Sequence, residues 1–324
     1  MFQPHGYARL KNSLVVCGLL IGSVLVYQYF AYGQDDEGII RNEEEVILYR
    51  SLQLFPQTMP VLSNAVYELS IVDASGRPQS LGRFLVPNQD QVSNPDGSVR
   101  ANALFTLPTP MATLASAEIR LVSSGNAQQP FSISFLQGSF QQDRAFLAFD
   151  AFTNDSFSGK YMLGTPTDGN DSLNERSGVW FGSLAQNVTS LSLPTLKSGW
   201  TYEGWAIVNG QSLTTGRFRA PSGRDSFNAF SDRQTPSPAI PGEDLLRDPP
   251  VEVFPGLSFP VDLAGDIVRI SLEPDLAGQD PTGQSPFGIR VLEADVPNRA
   301  EPRTLYDLQS FGDQLPKATV VLRP

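Results

Sequence analysis

Residues 202–218 read YEGWAIVNGQSLTTGRF, and residues 67–84 read YELSIVDASGRPQSLGRF; each opens on Tyr-Glu and closes on Gly-Arg-Phe. In the later copy, residues 202–208 carry the aromatic and β-branched side chains that suit a strand. Asn209-Gly210 then gives the strongest two-residue hairpin signal, because both turn positions need positive φ. Pairing Val208 with Gln211 puts Glu203 opposite Gly216 and Tyr202 opposite Arg217. The earlier copy has a three-residue loop, Ala74-Ser75-Gly76, with Gly76 at the left-handed position. Pairing Asp73 with Arg77 there puts Glu68 opposite Gly82 and Tyr67 opposite Arg83. The loop absorbs the difference in length, and the cross-strand pairs coincide, which chance similarity would not respect.

The likeness continues downstream. LASAEIRLVSS (residues 114–124) matches LAGDIVRISLEP (residues 263–274), and PFSISFL (residues 130–136) matches PFGIRVL (residues 286–292). The order in both halves is hairpin, strand, proline-containing loop, strand. A tandem duplication of one β unit follows. Its signature is Tyr67, Glu68, Gly76, Gly82, Arg83 and Phe84 in the first copy. In the second it is Tyr202, Glu203, Trp205, Gly210, Gly216, Arg217 and Phe218. Short strands spaced by turn residues, without a βαβ rhythm, predict an all-β protein of two tandem antiparallel β-sandwich domains. The first module is expected over residues 46–150, ending on the strand RAFLAF, and the second over 151–324. Residues 219–255, proline-rich and polar, read as a partly disordered surface excursion from the second module.

The N-terminus reads differently. Residues 1–12 carry Arg9 and Lys11, residues 14–30 are nearly all apolar, and residues 34–45 form an acidic spacer. The charge asymmetry predicts that residues 1–33 are a short basic tail and single-pass signal anchor, a transmembrane helix with its N-terminus cytoplasmic and the bulk extracytoplasmic. Cleavage near Gly33, giving a secreted protein, is the alternative, since Ala31-Tyr32-Gly33 offers small residues at peptidase positions. The membrane is thus an expected partner. A formal net charge of −11, from 34 acids and 23 bases, makes nucleic acid an unsuitable one.

The hairpin motif, with Glu273-Pro274 and Pro281-Thr282-Gly283 after it, resembles the extracytoplasmic C-terminal domain of anti-sigma-K factors, here in two tandem copies. The first copy departs from the pattern: Ser70 stands where Trp205 does, Ser123-Ser124 replaces Glu-Pro, and the Pro-Thr-Gly is missing. The cytoplasmic domain that grips a sigma factor has no counterpart in residues 1–12. The resemblance therefore implies an ectodomain and a topology in a bacterial, periplasm-facing protein, with another envelope protein as a partner. It does not by itself imply sigma-factor inhibition.

Catalytic and metal chemistry is sparsely represented. His5 is the only histidine and Cys17 the only cysteine. Both lie in or beside the N-terminal run, so histidine triads and His- or Cys-based zinc sites are not expected outside it. A serine–lysine dyad would have to use Lys160, Lys197 or Lys317, and nothing around them singles one out. Asp168, Asn170, Asp171 and Glu175 cluster in one loop, but Glu175 falls short of the twelfth position a calcium loop uses, and the loop reads as a turn. Glu203 with Arg217, and Glu68 with Arg83, read as diagonal surface pairs worth under about 1 kcal/mol, and Tyr202 and Trp205 as core rings. Asn187-Val188-Thr189 matches a glycosylation acceptor. No cofactor, metal or catalytic residue is assigned. The expected function is a non-enzymatic binding or sensing module; an accessory regulator in an anti-sigma circuit and a hydrolase using carboxylates alone are the alternatives.

Overall fold

The computed structural model describes residues 46–324 apart from 89–90, 125–129, 153–155, 170, 250–253 and 277–284, together with the backbone of two N-terminal strands. These are β1 (Val15–Ile21) and β2 (Val24–Phe30), an antiparallel pair in which Val15 faces Phe30 and Ile21 faces Val24. A membrane-spanning helix is expected over this stretch, and the structure does not confirm one. Val15, Val16, Ile21, Val24, Val26, Tyr27 and Tyr29 are all residues that favour a pleated chain. Among the described residues no helix is long and apolar enough to cross a membrane.

The rest is all-β and antiparallel. The first half contributes β3 (Tyr49–Gln57), β4 (Ala65–Asp73), β5 (Pro78–Asn88), β6 (Gln91–Ser93), β7 (Leu104–Met111), β8 (Leu114–Ser123), β9 (Ser132–Gln141) and β10 (Arg144–Phe149). The second contributes β11 (Lys160–Leu163), β12 (Gly178–Trp180), β13 (Gly182–Ser183), β14 (Val188–Thr189), β15 (Trp200–Val208), β16 (Gln211–Phe218), β17 (Gly242–Asp244), β18 (Ile267–Pro274), β19 (Arg290–Asp295), β20 (Leu305–Asp307), β21 (Gln309–Ser310) and β22 (Lys317–Arg323). A nine-stranded sheet runs β6-β5-β4-β8-β9-β10-β22-β3-β7, and a five-stranded one runs β16-β15-β18-β19-β21. A smaller sheet of order β17-β12-β11-β20 and the pair β13-β14 complete the second half.

The two hairpins prove equivalent in detail. Both carry a β-bulge at the same place: Leu81 is the extra residue between the pairs Leu69–Gly82 and Ser70–Ser80, and Thr215 between Gly204–Gly216 and Trp205–Thr214. Gly82 (φ +127°) and Gly216 (φ +116°) supply the conformation beside each bulge. The bulge corrects the expected register by one residue. Glu68 faces Arg83 and Glu203 faces Arg217 directly, while Tyr67 faces Phe84 and Tyr202 faces Phe218. Tyr67 and Tyr202 are both fully buried. Their hydroxyls donate to Pro60 O and Pro194 O, each at 2.8 Å. Their rings lie 5.5 and 5.7 Å from Phe84 and Phe218 at interplanar angles of 31° and 30°.

Equivalence extends outward. β8 pairs with β4 as β18 pairs with β15, and β9 then follows β8 as β19 follows β18. A second shared bulge follows Ile119 in one copy and Ile270 in the other. This register sets Val122, not Ser123, where Glu273 stands.

The halves do not separate into independent sandwiches. β22, at the C-terminal end, lies between β10 and β3 in the first sheet. Trp200 at the start of β15 packs edge-on against Phe149 at 5.0 Å and lies 6.1 Å from Phe135. One continuous apolar core holds residues of both halves, including Tyr67, Phe135, Trp200 and Tyr202. The boundary expected at residue 150 thus runs through a shared core. The excursion expected as a partly disordered surface segment also contributes to that core. Phe230 is buried there, stacked 5.7 Å from Phe259, and β17 is buried along its length.

Candidate functional site

Polar groups in the second half are buried to a degree the first half does not match. On β15 the side chains alternate, so Tyr202 points into the core and Glu203 and Trp205 point away from it. Trp205 is nonetheless almost fully covered, and its indole N–H donates to Ser271 Oγ at 2.8 Å. It is buried, as a core ring is expected to be, but on the face of β15 opposite Tyr202. The Ser271 hydroxyl donates to Glu273 Oε1, which also accepts the Phe287 N–H at 2.9 Å. Burial pushes the Glu273 carboxyl up to about 8. Beside this chain, Glu203 accepts from the Thr214 hydroxyl at 2.6 Å and from Arg217 Nε at 2.7 Å. In the first half Ser70, Arg120 and Val122 occupy the places of Trp205, Ser271 and Glu273. The pair Glu68–Arg83, 3.2 Å apart, is exposed, so it contributes under about 1 kcal/mol.

A second set of acids sits in the proline-rich segment. Asp244 is fully buried; its Oδ2 accepts the Thr167 N–H at 2.8 Å and the Thr167 hydroxyl, and its Oδ1 accepts the Trp180 indole N–H at 2.9 Å. Glu243, also fully buried, accepts the N–H groups of Phe230 and Ser231 on Oε1 at 3.0 and 2.9 Å, while its Oε2 is buried without a partner. Asp225 accepts the Gly242 N–H at 2.7 Å and the Phe227 N–H at 3.0 Å. It borders a cavity of about 160 Å³ shared with Trp180, Arg224 and Ile240. Burial is the first cause in each case: it pushes Asp225 up to about 7, Glu243 to about 8 and Asp244 to about 6, against the N–H bonds that pull them down. These acids stitch irregular backbone to a short strand. The sequence reading did not find them. PGEDLL at 241–246 offers the one signal, two acids between apolar flanks inside a polar stretch.

Gly216 joins the two sets. A Cβ there would come within 2.4 Å of Asp225 Oδ1, whereas one at Gly82 would meet open space. Gly82→Ala should cost about 1–2 kcal/mol in backbone strain alone. Gly216→Ala should cost clearly more, because Asp225 must leave two N–H groups. Chemical denaturation of both variants checks this; equal losses would mean that Asp225 holds nothing at that place. Gly76 (φ +82°) and Gly210 (φ +78°) sit at the hairpin tips in open space, as their turns require.

The remaining sequence candidates disperse. Glu175 accepts from Arg303 Nη2 at 2.8 Å, and Asp171 caps the Leu173 N–H at 3.0 Å; Asn170 lies outside the described residues. Among the described residues no group of three His, Cys, Asp or Glu side chains is placed to hold a metal. Lys160 pairs with Asp307 at 2.6 Å and Lys197 with Asp150 at 2.5 Å. The Asn187 side-chain oxygen accepts the Ala239 N–H at 2.7 Å. An open groove of about 610 Å³ lies between residues 172–177 and 299–302, with Arg176, Arg299 and Glu301 on its walls. His5 and Cys17 carry no described side chain. No protein-family model, curated protein or solved structure matches the chain.

Proposed function

We propose that the chain is a non-enzymatic binding or sensing module attached to a bacterial membrane through residues 14–30, with residues 46–324 outside the cytoplasm. The carrying observation is the duplicated four-strand unit. Its tyrosine hydrogen bond, its two bulges and its facing Glu–Arg pair are kept in both copies. That is the part of the motif resembling the anti-sigma-K ectodomain, and its residues are spent on architecture. The buried carboxylates support the same reading, since each accepts backbone N–H groups or neighbouring side chains. In an anti-sigma circuit such a module would serve as an accessory regulator.

The test is fractionation of cells producing the full chain with a C-terminal tag. The protein should stay in the membrane pellet through alkaline carbonate, and its tagged portion should be digested by protease added from outside. Release into the supernatant, or protection in intact spheroplasts, would sink the proposal. A hydrolase using carboxylates alone has one observation in its favour, the placement of Asp225 beside a cavity. Both of its oxygens, however, hold backbone N–H groups.

A further inference from the structure

The outer face of the nine-stranded sheet carries a feature the hairpins do not use. Phe146 on β10 and Phe55 on β3 are 66% and 41% exposed, and they are the two aromatic residues among the large exposed apolar side chains described. They stand in one row, because Phe146 faces Thr319 on β22 and Thr319 faces Phe55. Two inter-strand spacings put them roughly 9–10 Å apart. Ordinary solvated sheet faces alternate polar residues at such positions, so two bare rings in register call for a role.

The row leads into a groove. β3 runs past the end of β7, whose pairing with it stops at Gln53–Leu104. The sheet curls there until its ends meet: Phe84 on β5 lies edge-on 5.6 Å from Phe105 on β7, and the Arg100 N–H donates to Val92 O at 2.9 Å. The seam leaves a groove of about 500 Å³ whose lining includes Phe55, Gln57, Gln91, Val99, Arg100 and Asn102. The Arg100 guanidinium lies 4.3 Å from the Phe105 ring centre, and its Nε is buried without a partner.

Chemistry selects the occupant. The rows on either side of the phenylalanines are Leu104–Gln53–Val321–Arg144–Gln141 and Gln57–Lys317–Ala148–Gln137–Glu118, the last paired with Arg120 at 2.7 Å. With the groove they supply neutral amides, which both donate and accept hydrogen bonds as hydroxyl-rich ligands require. They also supply Arg144, Lys317 and Arg100. On β3, β22, β10 and β9 none of these residues is acidic, in a chain of 34 acids to 23 bases; Glu118, one strand further, is paired with Arg120, and Asp143, at the hairpin tip, lies 4.0 Å from Arg144 Nε. A flat ring accepts the C–H face of a pyranose, and the spacing of the two rings suits alternate sugars of an extended chain. The cations suit carboxylates on that chain.

We propose that this face and its groove bind an acidic polysaccharide. The inference rests on the binding-module reading and names its ligand class. The test is affinity electrophoresis of the full chain through native gels containing polygalacturonate, with dextran as the neutral comparison. Polygalacturonate should retard the protein more than dextran does. F55A/F146A should weaken that retardation about tenfold with only a small drop in melting temperature, since Phe146 is 66% exposed and Phe55 41%. R144Q/K317Q should weaken polygalacturonate binding selectively. Failure of polygalacturonate to retard the wild type, or equal retardation of F55A/F146A, overturns the inference. A photoreactive residue at position 146 in cells separates the two readings. If it captures one defined envelope protein while polysaccharide fails, the sugar inference falls and the binding module stands; if neither is seen at this face, both readings lose it.

Discussion

Ending the chain at Leu315 should abolish the cooperative fold of the first half, although that half is complete in sequence by residue 150. The lost segment contains β22, which fills a gap inside the nine-stranded sheet. Its residues pair on one side with β3, from Lys317–Gln57 to Arg323–Ser51, and on the other with β10, from Lys317–Ala148 to Arg144–Val321. Val320 is fully buried, and Leu322 and Ala318 are almost so. Burying a Val or Leu side chain is worth about 1.5–3 kcal/mol. Their removal also leaves two interior strands with bare edges and a slot in the core. Against a total stability of about 5–15 kcal/mol, the loss approaches the whole. Urea denaturation followed by near-ultraviolet circular dichroism should show no native baseline for the shortened chain, and a synthetic peptide of residues 316–324 added in excess should restore one. An unchanged urea midpoint would show that β22 is dispensable and the sheet order misread.

The same strand shows what a sequence conceals. RAFLAF is legible as a strand from its alternation, and KATVVLR carries a β-branched pattern that the sequence reading did not single out. Nothing in either states that they are neighbours, because pairing between distant strands is set by the assembled core and not by local pattern. Local features were legible. The hairpins follow from Asn209-Gly210 and from Ala74-Ser75-Gly76, and the duplication from shared register. The bulges were half visible: glycines recurring three residues from each hairpin's end mark a need for positive φ, but hairpin geometry alone read them as ordinary partners of Glu68 and Glu203. The buried acids were least visible. A stretch with the composition of residues 219–255 reads as solvated, and only packing against Phe230, Phe254 and Phe259 makes it otherwise.

Those acids give the molecule an unusual response to alkali: its melting temperature should fall as pH rises from 5.5 to 8.5. Asp225, Glu243, Asp244 and Glu273 are pushed up to between about 6 and about 8. In the unfolded chain they titrate near 4. A carboxyl raised in the folded state stabilises fully below its unfolded value, and that contribution is lost as pH rises through the folded value. The loss therefore begins above about pH 4 and is complete above about pH 8. Each pH unit in which one such group keeps its proton only in the folded state costs about 1.4 kcal/mol. Several groups acting together should lower the melting temperature by at least about 10 °C. Asp73 works in the opposite direction, held well below the usual carboxylate range by the Ser75 hydroxyl and the Arg77 and Ser75 N–H groups, but its effect is confined to strongly acidic solution. Glu243→Gln separates the causes. The amide carbonyl still accepts the Phe230 and Ser231 N–H groups, and no charge can form at the unpartnered Oε2 position. This variant should melt higher than wild type at pH 8.5 and close to it at pH 5.5, while Glu243→Ala, which drops both N–H groups, should melt lower at either pH. A wild-type melting temperature that is level or rising across this window would mean that water reaches these carboxyls, and the lobe from Asp225 to Asp244 is open.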